Sequence, residues 1–218
     1  FKNKLNMINK KILHDYNRFN VVDFIQKDNL IGIELGVAKG DFSKKMLESG
    51  KFRFYYGVDK YSDHHDSEEY LHTLKNIGIH KNFHLLRTSF ESALNIFEDN
   101  YFDFIYVDGY AHGGQEGGKT LCDWIKKVKI GGIICGDDYD DKFPLTIKAV
   151  DYLAENTNNQ IYLTNKDFIY ENQHSHCASW ILKVDKKYNI KPDKFLMLKS
   201  KIISNYHKMR IKIKYFFK

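Results

Sequence analysis

Short apolar runs alternate with helix-like segments through residues 30–184, and this alternation limits the possible folds more than any other feature of the chain. The runs are rich in Ile, Val, Phe, Tyr and Leu and have the length of buried strands. Strands that alternate with helices predict an α/β fold with a parallel sheet. The last two runs lack an intervening helix, which predicts an antiparallel addition at the sheet edge. The predicted strands are residues 30–35, 54–58, 83–86, 102–107, 130–136, 160–164 and 178–184.

Two extensions flank this predicted domain, which we place at residues 30–185. On the N-terminal side, apolar residues recur at the spacing of an amphipathic helix. We therefore predict residues 1–29 to be an N-terminal helical extension. The apolar positions that carry this prediction are Leu5, Ile8, Ile12 and Tyr16.

The net charge of +6 combines two very different parts of the chain. Residues 186–218 hold eleven basic residues and one acidic residue, whereas residues 1–185 hold 23 basic and 27 acidic residues. Any indication of an anionic partner therefore applies to the C-terminal extension alone. We predict a basic amphipathic helix that packs on the leading helix, mediates a homo-oligomer or contacts an anionic membrane surface. Its apolar stripe is Phe195, Leu198, Ile202, Tyr206 and Met209.

The cysteine content points to a reducing compartment. Cys122, Cys135 and Cys177 are few, odd in number and without the spacing of metal ligands, so a disulfide framework is excluded. We expect a cytoplasmic protein. No apolar run reaches the ~18 residues that a transmembrane helix requires.

Acidic residues or glycines follow four of the predicted strands. Ligands of open α/β sheets bind beyond the carboxyl ends of the strands. After the first strand, the segment Glu34-Leu-Gly36-Val-Ala-Lys-Gly40 combines a carboxylate with glycines that let the backbone turn sharply. The three-glycine dinucleotide fingerprint is absent, which argues against an NAD-dependent oxidoreductase. A carboxylate in the turn better suits a ligand with a positive centre and an amino acid moiety.

Asp59 ends the next strand, where a carboxylate can accept both hydroxyls of a ribose. With the strand Asp103-Phe-Ile-Tyr-Val-Asp108 and the Gly131-Gly132 turn, these motifs resemble the class I S-adenosylmethionine-dependent methyltransferases. The resemblance covers residues 30–184. It implies a Rossmann-like sheet of seven strands in the order 3-2-1-4-5-7-6, with strand 7 antiparallel and helices on both faces.

The same resemblance implies S-adenosyl-L-methionine as the cofactor. It places Gly36 and its turn beneath the methionine part and Asp59 on the ribose, and it places Ser89 and Phe90 beside the adenine. The complete set of implied cofactor-binding residues is Glu34, Gly36, Gly40, Asp59, Ser89, Phe90 and Asp108.

Three carboxylates, Asp108, Asp137 and Asp138, follow two strands that should be neighbours in the sheet. Oxygen ligands of this kind suit a hard divalent cation such as Mg²⁺. The arrangement is similar to that of metal-dependent small-molecule O-methyltransferases, including catechol and macrolide-sugar enzymes, although many of those carry Asn or Glu at one of these positions. His112 lies on a glycine-rich loop after Asp108, and we predict these two residues to be catalytic, with His112 as general base.

These residues predict an S-adenosylmethionine-dependent, Mg²⁺-assisted O-methyltransferase. Its expected acceptor is a hydroxyl of a small polar molecule, a sugar or a sugar-containing precursor. A catechol-like aromatic acceptor and a non-catalytic S-adenosylmethionine-binding scaffold are the alternatives. No nucleic-acid partner is expected, because the body is acidic and residues 137–140 lack the Asp/Asn-Pro-Pro-aromatic motif of amino-group DNA methyltransferases.

Overall fold

One mixed sheet lies at the centre of the computed structural model, which describes residues 8–62, 66–166 and 176–216. Within these residues the strands are β1 (Lys10–Leu13), β2 (Leu30–Leu35), β3 (Phe52–Asp59), β4 (Phe83–Arg87), β5 (Phe102–Val107), β6 (Val128–Tyr139), β7 (Ile161–Thr164) and β8 (Ala178–Lys183). Their spatial order is β1-β7-β8-β6-β5-β2-β3-β4. Strand β8 is antiparallel to β6 and β7, and the other neighbouring pairs are parallel.

Helices connect the strands and cover both faces of the sheet. The α-helices of the described residues are α1 (Asp41–Glu48), α2 (Ser67–Ile77), α3 (Phe90–Ala93), α4 (Gly114–Gly117), α5 (Lys119–Trp124), α6 (Pro144–Thr157) and α7 (Lys194–Phe216). Short 3-10 helices occupy Arg18–Phe24, Ala111–Gly113 and Ile125–Lys127. None of the helices in these ranges is long and apolar enough to cross a bilayer.

The core has two layers because successive strand residues point to opposite faces of the sheet. In β5, Phe104 and Tyr106 pack in one buried cluster, whereas Ile105 and Val107 pack in the other. All six residues of β2 and of β5 are buried. This central pair is therefore held rigidly, and its carboxyl ends offer a fixed platform for a ligand site.

The predicted fold class is confirmed. When β1 is set aside, the remaining strands follow the predicted order 3-2-1-4-5-7-6. Strand β8, which is strand 7 of that order, is antiparallel as expected. The sheet has eight strands rather than seven because one more strand joins its edge.

The predicted N-terminal helix is wrong over the described part of residues 1–29. Residues 10–13 form strand β1, which pairs in parallel with β7, and a 3-10 helix follows at residues 18–24. The spacing of Ile8, Ile12 and Tyr16 suited a helix, but pairing with the otherwise open edge of β7 satisfies backbone groups that a separate helix would leave exposed. Leu5 lies outside the described residues.

Candidate active site

A cleft of about 370 Å³ opens at the carboxyl ends of β2 and β5. Its volume is within the range of small-molecule sites, about 300–1,000 Å³. The wall comes from the 3-10 helix at residues 18–24, the turn after β2, the first residues of α1, one residue of α2 and the end of β5. The lining residues are Arg18, Phe19, Glu34, Gly36, Val37, Ala38, Lys39, Asp41, Phe42, Glu69 and Asp108.

The turn after β2 brings its backbone unusually close to the end of β5. Gly36 has a φ of 100°, and a Cβ built there would lie 2.8 Å from the carbonyl carbon of Asp108, with the carbonyl oxygen closer still. Only glycine tolerates both the left-handed backbone and this approach. The predicted role of Gly36 as the hinge of a ligand-binding turn therefore has a direct steric basis.

Asp59 fixes the same turn from the neighbouring strand. One carboxylate oxygen accepts hydrogen bonds from the backbone N–H groups of Val37, at 2.9 Å, and Ala38, at 3.0 Å. The other oxygen accepts from the N–H of Tyr61 at 3.1 Å. Asp59 thus positions the turn, and its predicted contact with a ribose stays a prediction.

Replacing Gly36 by alanine is expected to abolish cofactor binding. The Cβ would push the turn away from Asp108, and the left-handed conformation alone costs roughly 1–2 kcal/mol. Isothermal titration with S-adenosylmethionine should show no heat of binding, and thermal unfolding should report the loss of stability. Gly50→Ala is the matched control, because Gly50 also has a positive φ, 70°, but has no atom within 4 Å of the added Cβ. Wild-type affinity in Gly36→Ala would contradict the assignment.

Glu34 lies buried beside the cleft and accepts a hydrogen bond from the hydroxyl of Ser43. Burial raises the pKa of Glu34 well above its usual range, although the Ser43 hydroxyl opposes the shift. A cation placed near this carboxyl would favour its ionised form. The donor set of the cleft, with Glu34 and Asp108 beside a glycine turn, therefore fits the ammonium and sulfonium charges of S-adenosylmethionine.

Arg18 contributes a buried positive charge that the sequence analysis did not find. Its guanidinium forms ion pairs with Asp108 at 2.7 Å and with Asp137 at 3.0 Å. The same group lies 5.3 Å from the ring centroid of Phe42 and 5.8 Å from that of Tyr106. Its Nε atom has no hydrogen-bond partner among the described residues.

The predicted Mg²⁺ ligands do not form a metal site in this arrangement. No group of three or more His, Cys, Asp or Glu side chains in the described ranges is placed to hold a metal ion. The guanidinium of Arg18 bridges Asp108 and Asp137, two of the three predicted ligands. The positive charge expected from Mg²⁺ is thus supplied by the side chain of Arg18.

Asp138, the third predicted ligand, has a different environment. Its backbone is left-handed, with a φ of 64°, which is uncommon for a residue other than glycine. Burial, together with the charges of Asp108 and Asp137, raises the pKa of Asp138 to about 8, against the opposing effect of Arg18. A carboxyl group with such a pKa can accept a proton near neutral pH.

The other predicted site residues lie outside the lining of this cleft. Gly40 directly precedes α1, and Ser89 caps α3 by accepting a hydrogen bond from the N–H of Ser92. Phe90 is buried, and its ring lies 5.0 Å from that of Tyr110 in the loop after β5. The roles of these three residues toward a cofactor stay predictions.

His112 is exposed on the 3-10 helix at residues 111–113, and its ring lies 5.2 Å from that of Phe143. It follows Asp108 in the loop as expected. However, it does not line the cleft, and its catalytic role stays a prediction.

The short element α4, which follows His112, is a left-handed turn rather than a regular helix. Residues 114–118 all have positive φ, and Gln115 and Glu116 adopt this conformation without being glycine. Each such residue costs roughly 1–2 kcal/mol, so the neighbouring glycines limit the total strain. Gln115 is buried and donates to the carbonyl of Gly109 at 3.2 Å, which ties the turn to the loop after β5. Backbone strain of this kind is concentrated at functional sites.

This combination of sheet order, glycine turn and cleft defines a class I S-adenosylmethionine-dependent methyltransferase. Residues 33–139 match the protein family described as "Methyltransferase domain". This range extends from β2 to β6 and includes both strands whose carboxyl ends form the cleft. The chain is therefore a methyltransferase whose cofactor is S-adenosylmethionine. The family prediction is confirmed at this level, and the resemblance to metal-dependent O-methyltransferases stays a prediction.

Solved structures support the fold. An rRNA methylase from Streptococcus thermophilus has 14% identity and a TM-score of 0.53, covering 77% of this chain and 94% of that chain. The N-methyltransferase NodS from Bradyrhizobium japonicum has 13% identity and a TM-score of 0.55, with 78% and 92% covered. Precorrin 8w decarboxylase from Methanobacterium thermoautotrophicum has 17% identity and a TM-score of 0.54, with 76% and 88% covered. No curated protein sequence matches the chain significantly.

Proposed function

We propose that the protein transfers the methyl group of S-adenosylmethionine to a hydroxyl oxygen of a small polar acceptor, such as a sugar or a sugar-containing precursor. One observation carries this proposal. The partly buried carboxyl of Asp138 lies close enough to Asp108, a residue of the cleft wall, for the charge of Asp108 to help raise the pKa of Asp138 to about 8. A hydroxyl acceptor must lose its proton during methylation, so it needs such a group.

In this proposal the cleft holds the cofactor through charge. Glu34 and Asp108, which line the cleft, would hold the ammonium and sulfonium groups, and the turn at Gly36 would let the backbone approach them. S-adenosylmethionine supplies an electrophilic methyl group on a positively charged sulfur when it is bound. The protein therefore needs chiefly to align the acceptor oxygen with that methyl group.

The proton of the acceptor hydroxyl is assigned to Asp138. The carboxylate of Asp138 would take up the proton that the acceptor hydroxyl loses as its oxygen is methylated. The bound cofactor would supply the methyl group and keep the electron pair of the broken carbon–sulfur bond. Arg18 holds Asp108 and Asp137 in place through its two ion pairs, at 2.7 Å and 3.0 Å. His112, on the same loop as Asp108, is the second candidate base.

The Mg²⁺ ion of the sequence prediction has no step in this mechanism. Its three proposed ligands do not fit it as they stand, because the guanidinium of Arg18 occupies the position between two of them. A buried guanidinium carries a fixed positive charge at every accessible pH. It can therefore stabilise the two carboxylates permanently, which a dissociable ion would do only when bound.

The negative charge of the carboxylates around Arg18 also favours an uncharged substrate over a nucleic acid. Three carboxylates, Asp108, Asp137 and Asp138, lie near a single guanidinium. A polyanionic backbone would be repelled from such a site. The rRNA methylase shares its fold with this chain. The carboxylates around Arg18 argue against a shared substrate class.

A turnover assay tests the proposal directly. Release of S-adenosylhomocysteine should be measured with acceptors of one skeleton that carry either a hydroxyl or an amino group, with and without EDTA. We expect turnover with the hydroxylated sugars and no change on adding EDTA. Turnover confined to the amino acceptors would overturn oxygen as the acceptor atom. Loss of activity with EDTA, restored by Mg²⁺, would overturn the role given to Arg18. Binding of the cofactor without any turnover would favour a scaffold.

A further inference from the structure

Helix α7 is anchored to the domain by one face only. Leu196 and Ser200 on that face are buried. A Cβ built on Gly117 would lie 2.5 Å from the Cα of Met197, so the helix backbone rests directly on the left-handed turn at residues 114–118. The inner face of α7 is thus packed against the loop that follows His112.

The outer face of α7 exposes a continuous apolar stripe. With 3.6 residues per turn, the five stripe residues of the sequence analysis fall on one side of the helix. They point away from the buried face that holds Leu196 and Ser200. Their exposed fractions are 75% for Phe195, 57% for Leu198, 62% for Ile202, 54% for Tyr206 and 56% for Met209. Contiguous exposed apolar surface of this kind marks an interaction site.

Basic residues border this stripe. The sequence of α7, Lys194–Phe216, holds seven Lys and Arg residues and no Asp or Glu. Helical periodicity places Lys199 and Arg210 along one border of the stripe, and Lys194 and Lys201 along the other. All four of these side chains are exposed. An apolar centre with cationic borders is the pattern of a helix that lies in the interface of an anionic bilayer.

We propose that the outer face of α7 docks on the surface of an anionic lipid bilayer. The apolar stripe enters the boundary between headgroups and acyl chains, and the flanking lysines contact the negatively charged headgroups. This surface is distinct from the cofactor cleft, and the proposal does not depend on which acceptor the enzyme methylates.

A second copy of the chain and a nucleic acid fit the same surface less well. In a symmetric pair of α7 helices, two strongly cationic helices would face each other without a single acidic residue to balance them. A nucleic acid would neutralise the lysines, but it would leave the apolar centre against a charged backbone. An anionic bilayer is complementary to both the charge and the apolar stripe.

Cosedimentation with lipid vesicles tests the docking surface. The full chain should be mixed with vesicles of phosphatidylcholine alone and with vesicles containing phosphatidylglycerol, at low and high salt. We expect binding only to the anionic vesicles, weakening as salt rises. The variant Leu198→Ser/Ile202→Ser should bind at least about tenfold more weakly, since the two lost side chains together remove more than about 1.4 kcal/mol of apolar burial.

The matched control is Leu71→Ser/Leu74→Ser, which removes two exposed leucines from α2. This variant should bind vesicles like the wild type, and both variants should keep the wild-type unfolding temperature. Equal vesicle binding by the stripe variant and the control would overturn the proposal, as would binding to neutral vesicles or no binding at all. Sedimentation velocity tests whether a second copy of the chain binds this surface, and a filter-binding assay with RNA tests whether a nucleic acid does. Suppose that the wild type does not bind lipid but forms a dimer or binds RNA, and that the stripe variant loses this property. The surface would then be assigned to the second copy or to the nucleic acid instead.

Discussion

Replacing Arg18 by methionine is expected to lower the free energy of unfolding by about 3–5 kcal/mol. The substitution keeps much of the apolar stem but removes the guanidinium that forms ion pairs with both Asp108 and Asp137. Asp137 is almost completely buried, so it cannot recover its hydration in the variant. Urea denaturation of both proteins at pH 7 measures the difference.

Two further variants separate this effect from a general loss of packing. Arg53→Met removes an exposed arginine that also lies over an aromatic ring, and it should change stability by no more than about 0.5 kcal/mol. Asp137→Asn in the Arg18→Met background should restore part of the loss, because it removes the unpaired charge. If the double variant is as unstable as the sum of the single variants, the ion pair is not the cause.

The pH dependence of the loss provides an independent check on its origin. An unpaired buried carboxylate has a raised pKa in the folded state, so in the variant it takes up a proton before the unfolded chain does. The destabilisation should therefore be complete at neutral pH and should shrink as the pH falls toward the ordinary carboxyl range. A constant loss between pH 7 and pH 4 would indicate a packing defect.

The parts of the site that were predictable from the sequence are those encoded in short segments. A buried strand followed by an acid and two glycines is a local pattern, and it located Glu34 and Gly36 correctly in the cleft. Asp108 was located in the same way, as the residue that ends a strongly apolar strand. The order of the strands followed from the family resemblance and not from the spacing of the residues.

The parts that were missed depend on contacts between distant segments. Arg18 and Asp108 are separated by 90 positions in the chain, and no spacing rule connects an arginine in an N-terminal segment to the end of a central strand. The same is true of β1, whose partner β7 begins at Ile161. The same limit applies to the Mg²⁺ prediction, because the sequence does not show that Arg18 forms ion pairs with both Asp108 and Asp137. Converging carboxylates indicate a cation, but their pattern does not distinguish a metal ion from a guanidinium.

Local rules also do not predict strained backbone. The sequence analysis places His112 on a glycine-rich loop, and the segment from Gly113 to Gly118 forms a left-handed turn that includes Gln115 and Glu116. Propensities describe residues in unstrained conformations. The contacts with α7 and with the loop after β5 hold this turn in place, and they are tertiary in origin.

Asp138→Asn is expected to lower turnover by about 10²–10⁴-fold, the usual contribution of a general base. The amide is nearly the same size, so binding of S-adenosylmethionine and the free energy of unfolding should fall no further than in a surface variant. Asp141→Asn, which changes an exposed carboxylate three residues later, is the control and should retain full activity. The measurement is turnover with a saturating hydroxyl acceptor, alongside isothermal titration of the cofactor.

The pH profile distinguishes Asp138 from His112 as the base. Burial and the neighbouring carboxylates raise the pKa of Asp138 to about 8, and only the ionised form accepts a proton. In the wild type, kcat/KM should therefore rise with pH until it levels off above about 8, and the residual activity of Asp138→Asn should lose that rise. The variant His112→Gln should keep the rise toward pH 8. If His112 were the base, the inflection would lie lower, near the ordinary histidine pKa of about 6.5. An inflection near 6.5 that disappears only in His112→Gln would transfer the role of base to His112 and leave Asp138 as a neutral hydrogen-bond donor.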